Sequence, residues 1–420
     1  MTRLTHAHRW LGLAVCTVFW GASLAQEPGQ ASQDKLQRLM EQTRLHAASP
    51  VAGATASPAA RSAAQTLLSP ARLQERTQQL ASAEAALARS EVATAQQHFE
   101  RAALITPAAD TEMGLVRTHM QVGQYRRAVA FGAHTAGAHL DAVGGAALYA
   151  WPLQIGGQDA AAKRMLADAL TRSPQHPLLI AAQTQLQSGN PLAQGQLLQS
   201  PVRMAPHGPN TGLPRSARVA GAGLLIDGGR RVLVPVGTLG TLGTAQRVWV
   251  RNGLGQLAQT RVEKKLAPLQ LATLSLASAL PIDTALALAE RDAFAGSVGF
   301  AVEYSPAPNA VPQWPVLSTG FLGEASANGT SRPLGITLAK GPRGGPVFDN
   351  LGRLVGMAIA STSTSTSASA KDQWVTASQL YAAVGAPAGL PTSGAERERI
   401  PADQIYEAAL RTTVQIIVAR

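Results

Sequence analysis

The chain has 420 residues with an ordinary apolar share of 45%, enough for two globular domains each with its own core. A formal charge of +11 favours acidic partners, but arginine far outnumbers lysine and no basic run alternates with aromatics, so a nucleic-acid groove is not indicated. The single cysteine, Cys16, lies within an N-terminal leader, which leaves no disulfide for the folded part.

Residues 1–25 follow the secretory pattern. Arg3 and Arg9 precede an apolar stretch from Trp10 to Trp20, and Ser23-Leu24-Ala25 supplies a small-x-small cleavage site. The apolar run falls short of the ~20 residues that cross a bilayer, and Val15 stands before Cys16 where a lipidation signal has a small residue. The expected product is periplasmic or secreted, starts at Gln26, has no membrane span, and carries +9 once Arg3 and Arg9 are removed from +11.

Residues 26–70 are rich in Ala, Ser, Gln, Pro and Gly and are expected to form a flexible tether. From 71 to 187 the pattern becomes Ala-rich, helical and repetitive. Ala95, Ala128 and Ala162 lie 33 and 34 residues apart, each five residues after a turn residue, Ser90, Gly123 or Gly157. Phe99 and Leu166 follow four further on, Ala102 and Ala169 seven, Pro107 and Pro174 twelve. Small residues let paired helices approach closely, and the prolines end each pair.

This spacing resembles the tetratricopeptide repeat family from about Gln79 to His176, with a middle copy that departs at Gly132, Thr135 and Leu140. The resemblance implies a superhelix whose concave face binds peptides or protein segments. By register Asp110, Met113, Arg117, Met120, Trp151 and Gln154 are expected to point into that face as a binding site.

Residues 188–215 form a Pro/Gly/Ser-rich linker. Beyond it, short apolar runs split by glycines, such as Ala220–Ile226, Arg231–Val234, Gln246–Val250, Gly296–Val302 and Leu354–Ala360, predict an all-β barrel or sandwich over 216–387. Ser361–Ser369 is a low-complexity loop between strands. Gly341-Pro-Arg-Gly-Gly-Pro-Val-Phe348, followed by Asp349–Gly356, resembles the nucleophile loop of trypsin-like serine proteases, particularly the bacterial periplasmic ones. Gly221–Asp227, Arg231–Leu239, Leu269–Leu276, Gly320–Gly323 and Gln373–Val375 are similar in order and spacing to further strands of that family.

The resemblance implies a double β-barrel, and it places Gly237, Gln270 and Arg343 where the family has its histidine, aspartate and serine. No histidine occurs after His207, so the domain has no imidazole base of its own. The expectation is a pseudoprotease without catalytic residues or cofactor that binds envelope proteins or extended peptides. The alternative is a serine endopeptidase with an unrecognised arrangement, for example one using Lys340. The histidines are scattered, His134 and His139 five residues apart, so no metal site is expected. The glycine-rich run Gly237–Gly243 lacks a phosphate-binding Lys-Ser/Thr ending.

The segment ahead of Gly221 is linker-like where the family has a helix and an apolar first strand. Residues 388–420 instead hold a helix-forming stretch from Pro401 to Leu410 and a β-branched run from Thr412 to Ala419. The C-terminal strand is therefore expected to fold back into the barrel as its missing strand.

Overall fold

The computed structural model describes residues 69–187, 212–240, 247–282, 287–324, 332–338, 344–359, 372–385 and 398–419. The expected signal peptide, nearly all of the tether and the linker, and the Ser/Thr-rich loop lie outside them. Among the described residues seven helices come first: α1 Pro70–Ala88, α2 Val92–Ile105, α3 Ala109–Gln121, α4 Tyr125–Ala138, α5 Val143–Ile155, α6 Asp159–Arg172 and α7 Pro177–Gln187. No helix among the described residues is long and apolar enough to cross a membrane.

The sequence repeat has a geometric counterpart. Ser90, Gly123 and Gly157 all take left-handed backbone, with φ of 65°, 74° and 79°. In each turn the next residue's N–H donates to the carbonyl five positions back: Glu91 to Ala86, Gln124 to His119, Gln158 to Leu153. That closure ties off helix carbonyls left without intrahelical partners. Ala95, Ala128 and Ala162, the fourth residue of each following helix, have no exposed surface, and Phe99, Ala102, Leu166 and Ala169 are buried with them. A Cβ on Gly114 would fall 2.3 Å from the Phe99 ring, so α3 lies against α2 at a distance only glycine permits.

Two closed antiparallel barrels of six strands each follow. The first contains β1 Arg218–Ile226, β2 Arg231–Pro235, β3 Arg247–Asn252, β4 Leu257–Leu266 and β5 Leu271–Leu276. The second contains β6 Val298–Glu303, β7 Val316–Leu322, β8 Arg332–Gly335, β9 Pro346–Phe348, β10 Leu354–Ile359 and β11 Gln373–Thr376. Three further helices are a single turn, α8 Val236–Leu239, then α9 Ala377–Val384 and α10 Ala402–Thr412, after which β12 spans Thr413–Ala419. This is the architecture expected, a helical array ahead of a double antiparallel β-barrel. Val232, Val234, Val250, Leu274 and Ile416 fill the first barrel. Ala301, Leu322, Val347, Val355 and Trp374 fill the second.

β12 closes the first barrel. It pairs with β1 from Arg218↔Val418 to Leu224↔Thr413 and with β3 from Val414↔Asn252 to Ala419↔Arg247, giving the order β1-β12-β3-β4-β5-β2. All seven of its residues are buried. The helix before it buries Ile405, Tyr406, Ala409 and Leu410 on one face.

That face joins the barrels to the helical array. The Tyr406 ring meets Tyr125 of α4 edge-on at 4.5 Å, and its hydroxyl donates to the Pro315 carbonyl at 2.7 Å. Burial raises the Tyr406 pKa well above its usual value, so it stays a donor. The Arg126 N–H donates to Glu407 at 2.8 Å. Turn glycines of the array also touch the barrels: a Cβ on Gly123 would meet Leu254 at 2.9 Å, and one on Gly157 the Leu317 carbonyl at 2.8 Å.

Truncation after Ala395 removes buried Ile405, Leu410, Val414, Ile416 and Val418. At roughly 1.5–3 kcal/mol each, these are comparable with the about 5–15 kcal/mol that stabilises a whole domain. The truncated chain is expected to lose cooperative unfolding of the first barrel or to aggregate through the exposed edges of β1 and β3. Urea denaturation followed by tryptophan fluorescence checks this, and a truncated protein that melts like the intact one contradicts it.

Candidate functional site

Two of the three positions expected to carry a triad, Gly237 and Gln270, are brought near each other by β2 and β5. These strands pair up to Pro235↔Leu271, which places the residues just after β2 beside the one just before β5. Gln270 ends a short 3-10 turn in left-handed backbone, φ 53°, and that conformation aims its carbonyl at the Val236 N–H, which donates at 2.9 Å. Gly237 follows in α8, whose Thr238 hydroxyl donates to the Pro235 carbonyl at 2.7 Å and so is already committed. Both Gly237 and Gln270 are exposed.

The loop after the expected nucleophile reaches the same point. A Cβ on Gly344 would lie 2.6 Å from Pro235 Cγ and 2.2 Å from the Ala358 carbonyl, so backbone passes here at closest approach. Arg343 itself lies outside the described residues. A residue without a side chain and a carboxamide that does not titrate therefore stand at the two described positions, and neither can exchange a proton at neutral pH.

In the helical array, the structure corrects the expected concave site. Met120 has no exposed surface and Trp151 has 2%. The Trp151 ring packs at 4.6 Å from Trp314, in the connection between β6 and β7. Repeat register can choose a helix face; it cannot know that another domain already covers it. Arg117 is 4% exposed, bound in a fork to Glu84 and lying 5.6 Å over the Phe99 ring, so it is a packing element of the array. Asp110 is half exposed and holds Arg76 at 2.5 Å, and Met113 is half-buried beside Gly144.

Of the six, Gln154 lines a cleft. About 500 Å³ opens between α5–α7 and the second barrel, lined also by Asp159, Lys163, Glu303, Leu317 and Thr319. The Gln154 Oε1 is buried without a hydrogen-bond partner among the described residues. One wall is β7, which pairs with β6 along its whole length, from Val298↔Phe321 to Glu303↔Val316. On its other side β7 pairs with β8 at Phe321 and Leu322, so that among the described residues Val316 to Gly320 have β6 as their strand partner. Sequence reasoning missed this cleft because its walls come from segments over a hundred residues apart, and nothing local marks them.

No protein-family model matches the sequence, and no curated protein does. Solved structures similar to it include the MamO protease domain from Magnetospirillum magneticum in its apo form, with 16% identity over 41% of this chain and 97% of that one, at a TM-score of 0.27. Deg5 has 16% identity over 40% of this chain and 90% of its own, at 0.28. The HtrA-type protease AlgW with a decapeptide has 14% identity over 37% of this chain and 47% of its own, at 0.28.

The expectation of scattered histidines needs a second correction. His134 of α4 and His139, the residue capping that helix, both turn Nε2 toward Glu112 Oε1 on α3, at 3.4 and 3.2 Å. Five residues along a helix should point apart, but His139 has left helical geometry, φ −115° and ψ 64°, and its ring swings back. Burial alone would raise the Glu112 carboxyl, yet hydrogen bonds and charge from His134 and His139 outweigh it and hold the pKa at about 2.

Since Trp151 and Met120 are packing residues, Trp151→Ala and Met120→Ala are expected to destabilise the protein by about 3–5 and 2–5 kcal/mol respectively. Equilibrium urea unfolding measures this. Wild-type midpoints in both variants would mean that the two side chains are not enclosed.

Proposed function

We propose that this chain is a non-catalytic protein of the bacterial envelope that binds extended polypeptide, using a trypsin-like double barrel as scaffold and the helical array as a second wall. The observation that carries the reading is that Gly237 and Gln270 stand where β2, β5 and the Gly344 loop meet, the Val236 N–H donating to the Gln270 carbonyl beside Gly237. Nucleophilic catalysis there needs a base within hydrogen-bond reach of the nucleophile, and the barrels contain no histidine to supply it. The leader supports an envelope location, and the repeat spacing supports a tetratricopeptide-like array.

Purified protein is expected to leave casein and fluorogenic peptides intact and to remain unlabelled by serine-directed phosphonates. Stoichiometric labelling of a serine would sink the reading in favour of an endopeptidase.

The binding half of the proposal rests on the cleft. A segment laid along the edge of β7 opposite β6, from Val316 to Gly320, would add a strand to the second barrel, with main-chain hydrogen bonds giving affinity and Gln154, Asp159 and Lys163 available to its side chains. Leu322 donates toward Ser297 on the β6 side and Gly323 toward Pro333 on the β8 side, so by alternation the Thr319 N–H points to the open edge. Thr319→Pro removes that donor and leaves the β6 ladder intact.

Unstructured peptides selected for binding by fluorescence anisotropy are expected to bind this variant about tenfold more weakly, the loss of one or two hydrogen bonds. Leu104→Ala on α2 should change nothing. Peptides indifferent to Thr319→Pro would place the site elsewhere.

A further inference from the structure

We infer that Glu112, His134 and His139 form a binding site for a divalent transition-metal ion of the zinc class. Each residue offers one ligand atom, and the three atoms all lie within 4.8 Å of one another. Two of the three separations, 3.2 and 3.4 Å, already match the edge of a tetrahedron around zinc, about 3.3 Å for bonds of about 2.0–2.1 Å. The donor set, two imidazoles and a carboxylate, suits zinc and its first-row neighbours and discriminates against calcium and magnesium, which take oxygen ligands.

The site is built rather than accidental. The Thr135 hydroxyl lies 2.9 Å from both Glu112 Oε2 and the Phe131 carbonyl, and its contact with Oε2 leaves Oε1 to face both rings. Such outer hydrogen bonds orient ligands in metal centres. The Glu112 side chain is 4% exposed while each histidine is 19% exposed, so an ion enters from the histidine side and keeps its carboxylate ligand in the protein interior. Three protein ligands leave one tetrahedral position for water. The ion would staple α3 to the C-terminal end of α4, next to the connection into α5.

The test uses the full chain purified without a histidine tag, titrated with Zn²⁺ by calorimetry and with Co²⁺ by visible spectroscopy. One ion per chain is expected, with a Co²⁺ spectrum of tetrahedral intensity. The double variant His134→Ala/His139→Ala should lose that ion, Thr135→Val should bind it about 10–100-fold more weakly, and His98→Ala should match the wild type.

Circular dichroism checks that the variants fold. If the double variant does not, zinc X-ray absorption on the wild-type protein decides, because it counts imidazole ligands directly. Two imidazoles support the site and fewer than two overturn it. Absence of stoichiometric binding, or unchanged affinity in a folded double variant, would likewise overturn it and leave the three residues as a hydrogen-bonded clamp.

Discussion

The arrangement depends on one amphipathic helix and the strand that follows it. α10 presents Ile405, Tyr406, Ala409 and Leu410 to the protein interior, and β12 inserts between β1 and β3. Without β12 the first barrel is an open sheet with two edges, and an open edge exposes a row of unpaired backbone donors and acceptors. Without α10 the contact between the helical array and the barrels loses Tyr406 against Tyr125 and Glu407 against the Arg126 N–H. Barrel closure and domain attachment are thus one structural event.

The same strand braces the junction between the barrels. Gln415 on β12 donates to the Val311 carbonyl at 3.3 Å and accepts from buried Arg251 of β3 at 3.2 Å, while Arg251 also donates to the Ala310 carbonyl at 2.9 Å. Burial lowers the Arg251 guanidinium to about 10, still far above neutral pH, so it remains a charged donor in the interior. The connection from β6 to β7 is therefore held to the first barrel along Ala310 and Val311. It carries Trp314 onward to Trp151, so the first barrel and the inner helices constrain the same loop from opposite sides.

Much of this was legible in local sequence because local chemistry dictates it. A left-handed turn accepts glycine readily and serine occasionally, and Gly123, Gly157 and Ser90 marked such turns before any coordinates. Alanines at a period of 33 and 34 residues marked the tight helix contacts, and β-branched runs between glycines marked the strands. The helix-then-strand order of the last twenty residues, set against a linker-like segment before β1, pointed to a strand returning from afar. What was not legible lies between elements. Trp151 had the register of a groove residue, but its environment is set by Trp314, 163 positions later (314 − 151). His134 and His139, five residues apart, would diverge on a continuous helix, but the helix has ended at His139.

Pairing Arg218 with Val418 joins residues 200 positions apart (418 − 218), and this separation governs the order in which the molecule can form. The helical array is built from contacts between sequence neighbours, for which loop-closure entropy is small, and can fold while the chain is still emerging. The first barrel cannot. β1 must wait with an unsatisfied edge through the synthesis of the entire second barrel until β12 arrives. During that interval β1 and β3 are available to each other, to another copy, or to a holdase. Because a chain is made amino end first, the interval is set by the rate of synthesis rather than by intrinsic folding speed, and β12 acts as a timer on completion of the scaffold.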